Sequence, residues 1–315
     1  TTKIPTEQCA SCHFQGGRIG LNFRGIRESG FGDDPPNAVP WNESAYGHAA
    51  GYYLLDEDGT NDIDETPPDI HYSAGMHCAD CHVGSDVHGD GRLHATSKTQ
   101  VDIRCEDCHG TPRRAILSDA GGLYRTSKGR VLSQLSTDKT GEIVLTGIVD
   151  GALHKVPQIA EILSEGGGAS EAMHQAMAPN EEDWTHADSL TCDTCHTSYN
   201  LYCIGCHVSM DMRLSQIDHQ TGKKSTGLVR GSREYWSLDH VLIGQGADGR
   251  AQSVIPSQQV QMTIIGTDGE PLVGDKYEDN STLGVFRTTE NSNANIGFAP
   301  FFQHTTTDKP RTCDV

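Results

Sequence analysis

The chain contains no apolar run of the ~20 residues that a bilayer-spanning helix requires, so nothing in it is a candidate for a membrane-crossing helix. Basic residues are short: 24 Lys and Arg stand against 43 Asp and Glu, a formal net charge of −19. That balance argues against nucleic acid as a partner and reads most simply as a solvated acidic surface. Methionine is scarce, with six copies. Only 35% of residues are hydrophobic, and a mean hydropathy of −0.50 reads as a soluble chain. The sequence opens on Thr1-Thr2-Lys3 with neither an initiator Met nor a visible signal peptide, which we read as a processed or cut N-terminus.

What is plentiful is glycine, 35 of 315 residues, favouring turns over long helices. The cysteines are more informative. There are 11, an odd number that cannot all pair as internal disulfides. Ten fall into five copies of one pattern: Cys9-Ala10-Ser11-Cys12-His13, Cys78-Ala79-Asp80-Cys81-His82, Cys105-Glu106-Asp107-Cys108-His109, Cys192-Asp193-Thr194-Cys195-His196 and Cys203-Ile204-Gly205-Cys206-His207. Each is C-x-x-C-H, the attachment pattern of c-type haem. Two cysteines three positions apart form thioethers to the two vinyl groups of one porphyrin, and the following His lies under the ring as proximal iron ligand. A Cys₄ zinc site or a redox dithiol needs no His directly after the second Cys, yet all five pairs have one. Cys313 begins Cys313-Asp314-Val315, the form of a sixth motif cut short, with an unpaired terminal cysteine as the plainer alternative. The expected cofactor is therefore haem c, five complete copies and a truncated sixth site.

Sixteen histidines are present, and five of them, His13, His82, His109, His196 and His207, are proximal. The remainder suffice for a second His on every iron, and scarce Met disfavours the Met/His ligation that raises potentials. Low-potential, six-coordinate haems are expected. The distal candidates are His48, His71, His77, His88, His186 and His304, followed by His94, His154 and His174, with His219 and His240 last. His71 and His186 lie shortly upstream of motifs, His77 directly precedes Cys78, and His304 lies nine before Cys313.

Six residues separate His196 from Cys203. At ~3.6 Å per residue the two attachment points lie within about 25 Å, so haems four and five should adjoin. Haems two and three, 22 residues apart, can adjoin as well. The intervening chain predicts other structure. Leu123–Thr126, Arg130–Leu132 and Ile143–Val149, with turn chemistry at Asp138-Lys139-Thr140-Gly141, predict a β-ribbon. Pro157–Leu163 and Glu171–Met177 predict short helices. Trp236–Gly244, Gln258–Ile265 and Leu283–Thr288 predict strands, with turns at Asp248-Gly249 and Asp268-Gly269.

The expected class is α+β and irregular: low regular secondary structure, short helices around haems, and β-rich insertions. The expected regions are 1–110 with three haems, 111–180 with ribbon and short helices, 181–221 with two haems, 222–303 as a β-rich module, and 304–315 as the start of a further motif. An acidic loop, with Asp56, Asp58, Asp62 and Asp64 around Gly59, has spacing that suits Ca²⁺, although Pro67 stands where an EF-hand has its last Glu. A solvated acidic turn is the preferred reading there.

The stretch His71-Tyr72-Ser73-Ala74-Gly75-Met76-His77-Cys78-Ala79-Asp80-Cys81-His82, His88-Gly89-Asp90-Gly91, Cys105–Gly110, Trp184-Thr185-His186 leading into Cys192–His207, and His304 leading into Cys313 resemble the large multihaem cytochromes of metal-reducing bacteria. The resemblance covers the motif regions and leaves the β-rich parts unmatched. It implies closely stacked bis-His haems passing electrons to extracellular acceptors, to other cytochromes or to identical subunits by haem-to-haem contact, and some relatives polymerise into haem-lined filaments. It also implies export, to the cell surface or beyond, with the periplasm second. An electron conduit without catalysis is the expected function. The alternative is a multihaem oxidoreductase reducing a small nitrogen or sulfur oxyanion at an open haem. A third reading is a haem domain serving a separate catalytic subunit.

Overall fold

Cysteines at positions i and i+3 share one face only if the backbone coils between them, and four of the five motifs do so. In a computed structural model, residues 3–13, 19–25, 38–40, 53–55, 67–94, 97–218, 221–238, 241–256, 259–273 and 298–311 are described. Helix α1 (Thr6–His13) carries the first motif, and α2 (Ile19–Asn22) packs on it. A Cβ on Gly20 would stand 3.0 Å from the His13 carbonyl, a tight contact that glycine avoids. The short strands β1 (Ala38–Pro40) and β2 (Tyr53–Leu55) pair antiparallel.

Five one-turn helices follow: α3 (Ile70–Ser73), α4 (Cys78–Cys81), α5 (Gly84–Val87), α6 (Ser97–Gln100) and α7 (Cys105–His109). Helices this short are unstable alone and depend on caps and packing. In α4 and α7 the third residue of the motif, Asp80 or Asp107, turns back on the chain. Asp80 accepts the His77 N–H at 2.7 Å, and Asp107 accepts the Arg104 N–H at 2.9 Å.

A three-stranded antiparallel ribbon then covers the second and third motifs: β3 (Leu135–Thr137), β4 (Ile143–Thr146) and β5 (Leu153–Lys155). Its turn at Asp138–Gly141 is held by Asp138 Oδ1, which accepts from Thr140 N and Glu142 N. Met76, Tyr124, Leu132, Leu135, Ile143, Leu145 and Val156 form the core beneath it, and Cys81 and Cys108 pack against its side. Burial of each such Leu contributes about 1.5–3 kcal/mol. Both motif carboxylates also dock the covering chain: Asp80 Oδ1 accepts from Ile148 N, and Asp107 Oδ1 from Ser127 N, each at 2.7 Å.

Helices α8 (Ile159–Leu163), α9 (Glu171–Met177), α10 (His186–Ser189) and α11 (Cys192–His196) lead into the sheets. Strands β6 (Asn200–Ile217), β7 (Lys224–Leu238), β8 (Ile243–Gln245), β9 (Ala251–Pro256), β10 (Gln259–Ile265), β11 (Pro271–Val273) and β12 (Phe298–Pro300) make two of them. One has the order β11-β10-β6-β7, with β10 parallel to β6, and the other β12-β9-β8.

Here the structure departs from the sequence reading. Strand structure begins at Asn200, inside the stretch expected to be a two-haem region, because β6 is laddered by β7 on one side and β10 on the other. The fifth motif, Cys203–His207, is accordingly extended backbone, with a shift of register between Cys203 and Gly205. The stretch expected as one strand over Trp236–Gly244 is split, because β7 runs to Leu238, opposite Asn200 of β6, while β8 pairs with β9. The strand expected over Leu283–Thr288 lies outside the described residues.

Candidate haem-binding site

The segment Pro300–Arg311 brings distant parts of the chain together. It runs beside the fourth motif: Ser198 N donates to Thr305 O at 2.9 Å, Thr307 N to His196 O at 2.9 Å, and Arg311 N to Cys195 O at 2.9 Å. It also meets the start of α3, where Thr306 N donates to Asp69 Oδ2 at 2.8 Å and Ile70 N to Thr306 O at 2.9 Å. Between these contacts His304, with a left-handed backbone (φ 58°), is presented toward the second motif. A non-glycine residue held at positive φ costs ~1–3 kcal/mol and persists where its surroundings dictate it. Phe302 and Phe23 flank its ring, with centroids 4.6 and 6.3 Å away.

Two pairs of imidazoles result. The rings of His82 and His304 have centroids 5.9 Å apart, and those of His71 and His109 are 6.1 Å apart. A metal–imidazole bond is about 2 Å and the ring centre lies about 1.1 Å beyond the nitrogen, so two rings sharing one metal stand about 6 Å apart. Three of these four rings have the second nitrogen hydrogen-bonded elsewhere, as does the proximal His196, while His82 Nδ1 has no hydrogen-bond partner among the described residues. His71 Nδ1 meets Asp69 Oδ1 at 2.8 Å, His109 Nδ1 meets Pro157 O at 2.9 Å, His304 Nδ1 meets Phe302 O at 3.0 Å, and His196 Nδ1 meets Thr307 O at 2.9 Å. His82 Nδ1 stands 3.5 Å from Asp86 Oδ2. An imidazole whose Nδ1–H is given to an oxygen keeps the Nε2 lone pair for a metal, the usual arrangement of ligating histidines. Burial, with His82 nearby, pushes the His304 pKa down to about 4, and burial also lowers that of His109. Both are therefore neutral at pH 7, the ligating form.

The thiols of successive motifs are neighbours. Cys78 is pushed up to about 11 by burial and by the adjacent Cys9. Cys81 is raised by burial and by Cys108, and Cys108 is itself pushed up to about 11 by burial and Asp107. Cys105 is raised by its contact with Cys192. Seven cysteines, Cys9, Cys78, Cys81, Cys105, Cys108, Cys192 and Cys195, form no disulfide. Among the described residues, the group most like a metal cluster is Cys105, Glu106 and Cys192, whose ligand atoms lie within 4.8 Å of one another. Zinc binding needs thiolates, which form where the pKa is depressed. In that trio the hydrogen bond from Cys105 lowers Cys192 while Cys105 itself is raised, so only one of its two sulfurs is favoured as thiolate; the His directly after each Cys pair, for which a zinc cage has no use, suits haem c.

The other candidates are placed as follows. His77 Nδ1 lies 3.2 Å from Thr6 N and 3.0 Å from Thr6 Oγ1, at the first turn of α1, which ties the second motif to the first. His186 opens α10 with its ring 5.3 Å from that of Trp184. His94 Nε2 bonds Asp90 at 3.0 Å. His154 is half-buried on β5, with no hydrogen-bond partner at Nε2 among the described residues. His88 and His174 are exposed, and so is the proximal His13. His48, His219, His240, Cys313 and the acidic loop of Asp56, Asp58, Asp62 and Asp64 lie outside the described residues. The side chains of Cys12, Cys203, Cys206 and His207 do too.

Sequence reasoning missed the residues that orient the imidazoles, above all Asp69. Its signal was available: an Asp directly before a short helix is an N-cap, and Asp69 accepts from His71 N at 2.9 Å. Burial alone would raise its pKa, but His71 and the backbone N–H groups of Thr306 and His71 hold it below the usual carboxylate range.

Residues 35–110 match the family model described as cytochrome c554 and c-prime. The matched span contains the second and third motifs together with His71 and His77, and it supports a c-type cytochrome that carries haem c and transfers electrons. No curated protein and no solved structure matches the chain.

Proposed function

We propose that the chain is an electron conduit in which several covalently held haems adjoin, with His82 and His304 as the axial pair of the second motif and His71 and His109 as that of the third. The observation that carries this reading is the pair of imidazole couples at 5.9 and 6.1 Å, three of the four rings having the second nitrogen hydrogen-bonded to an oxygen. Haem c, when bound, supplies a one-electron Fe(III)/Fe(II) couple. The chain's own residues do the rest. Cysteines tether the porphyrin edges, two imidazoles close the iron to substrate, and carbonyls and carboxylates hold the imidazoles in place.

The neighbouring thiols supply the order. Cys9 beside Cys78, Cys81 beside Cys108, and Cys105 beside Cys192 support an order in which the attachment edges of motifs one to four succeed one another. Electrons would then pass along the chain of motifs without a bound substrate at any closed iron. Export, and acceptors outside the cell or on neighbouring cytochromes, are part of this proposal, as is assembly with further copies.

The test is the spin state. Electron paramagnetic resonance and near-infrared magnetic circular dichroism should show bis-His low-spin iron in the holoprotein. Replacing His71 or His304 by Gly should each convert one haem to a high-spin form that binds cyanide. High-spin iron at either site before mutation would favour an enzyme with an open haem.

A further inference from the structure

We infer that Asp69 is a positioning residue that fixes the distal imidazole of the third haem and holds that haem at a lower potential than its neighbour, the second. This rests on the axial pairs proposed above. Among the four imidazoles of the axial pairs and that of His196, only His71 has a carboxylate within hydrogen-bond distance of Nδ1. Asp69 Oδ1 stands at 2.8 Å, whereas His109, His196 and His304 face backbone carbonyls at 2.9, 2.9 and 3.0 Å. The carboxylate beside His82 is further off, at 3.5 Å.

Asp69 is 1% exposed, and no Lys or Arg pairs with it among the described residues. It is satisfied by N–H donors: His71 N at 2.9 Å and Thr306 N at 2.8 Å besides the ring. A buried carboxylate without a cation is costly. Haem iron held by His71, when ferric, would supply the compensating positive charge. A carboxylate accepting Nδ1–H also gives the imidazole imidazolate character and makes it a stronger donor to the metal. Both effects favour Fe(III) over Fe(II) and lower the potential. The same carboxylate, through Thr306, fixes the segment that presents His304 two residues earlier, so one side chain would set the distal ligands of two adjoining haems.

The experiment is a redox titration of holoprotein, followed by electron paramagnetic resonance with the haems assigned by paramagnetic NMR. In the unmodified protein the third haem should accept its electron after the second. Asp69→Asn should raise the electron affinity of the third haem about tenfold, which is 59 mV for one electron, with the iron still low-spin. Asp69→Glu, which keeps the charge, should restore most of the difference. A third haem reduced before the second, or an Asp69→Asn shift spread equally over all haems, would overturn the inference. Should Asp69→Asn fail to mature, the order of reduction in the unmodified protein decides alone. Failure of the axial reading itself would be seen separately, as high-spin iron before any substitution.

Discussion

Replacing Asp80 with Ala tests how the β-ribbon is held on the second motif. The carboxylate is 1% exposed and accepts two backbone N–H groups, His77 and Ile148, each at 2.7 Å. Hydrogen bonds to a charged group contribute about 1.5–3 kcal/mol apiece, and removing the acceptor strands two donors. The substitution should therefore cost about 3–5 kcal/mol, the upper part of the sum being offset by water entering the gap. The loss falls mainly on the contact between ribbon and motif, since Ile148 lies just past β4. Native-state hydrogen exchange reads it directly: protection of the Ile148 amide should fall by a factor of about 100 or more, while the denaturant midpoint shifts down at unchanged slope. A stability loss below about 1 kcal/mol with unchanged exchange at Ile148 would refute the reasoning.

Asp107→Ala should act in the same way on Ser127 N and Arg104 N, and exchange at Ser127 is its measure. Gly110 follows the third motif with φ 68°, and an added Cβ would stand 2.6 Å from the Arg114 carbonyl. Gly110→Ala should therefore lower stability by about 1–3 kcal/mol in denaturant titration. Burial would raise the Asp193 pKa, but Lys98 at 3.2 Å and Ser253 at 2.5 Å hold it below the usual range. A depressed carboxylate contributes stability above its unfolded value of about 3.9 and loses it as pH falls through the folded value, so the docking of β9 on α11 should weaken below about pH 4. Lys98→Ala should move that acid transition to higher pH, as followed by circular dichroism.

How much of this was legible in the sequence depends on the range of the interactions. The motifs are local, and their chemistry follows from two cysteines and a histidine at fixed spacing. The helix over Glu171–Met177, capped by Ser170, and the turns at Asp138–Gly141 and Asp248-Gly249 follow from cap and turn residues that act within a few positions. The pairing of His82 with His304 does not, because 221 residues lie between them and the choice among candidate histidines is made by tertiary contacts. The double use of Asp80 and Asp107, as caps and as docking points, is half legible. The cap is local, but the partner at Ile148 or Ser127 is not. The extended fifth motif was illegible for a related reason: β10, which pairs with Gly205–His207, is supplied from more than fifty residues downstream.

The most direct test is peptide mapping by mass spectrometry of the denatured, protease-cleaved protein purified from a host that matures c-type haem. The peptides holding Cys78–His82, Cys105–His109 and Cys192–His196 should each carry one haem on both cysteines and resist alkylation by iodoacetamide. Recovery of those cysteines as free, alkylated thiols at the mass of the bare peptide would contradict the account.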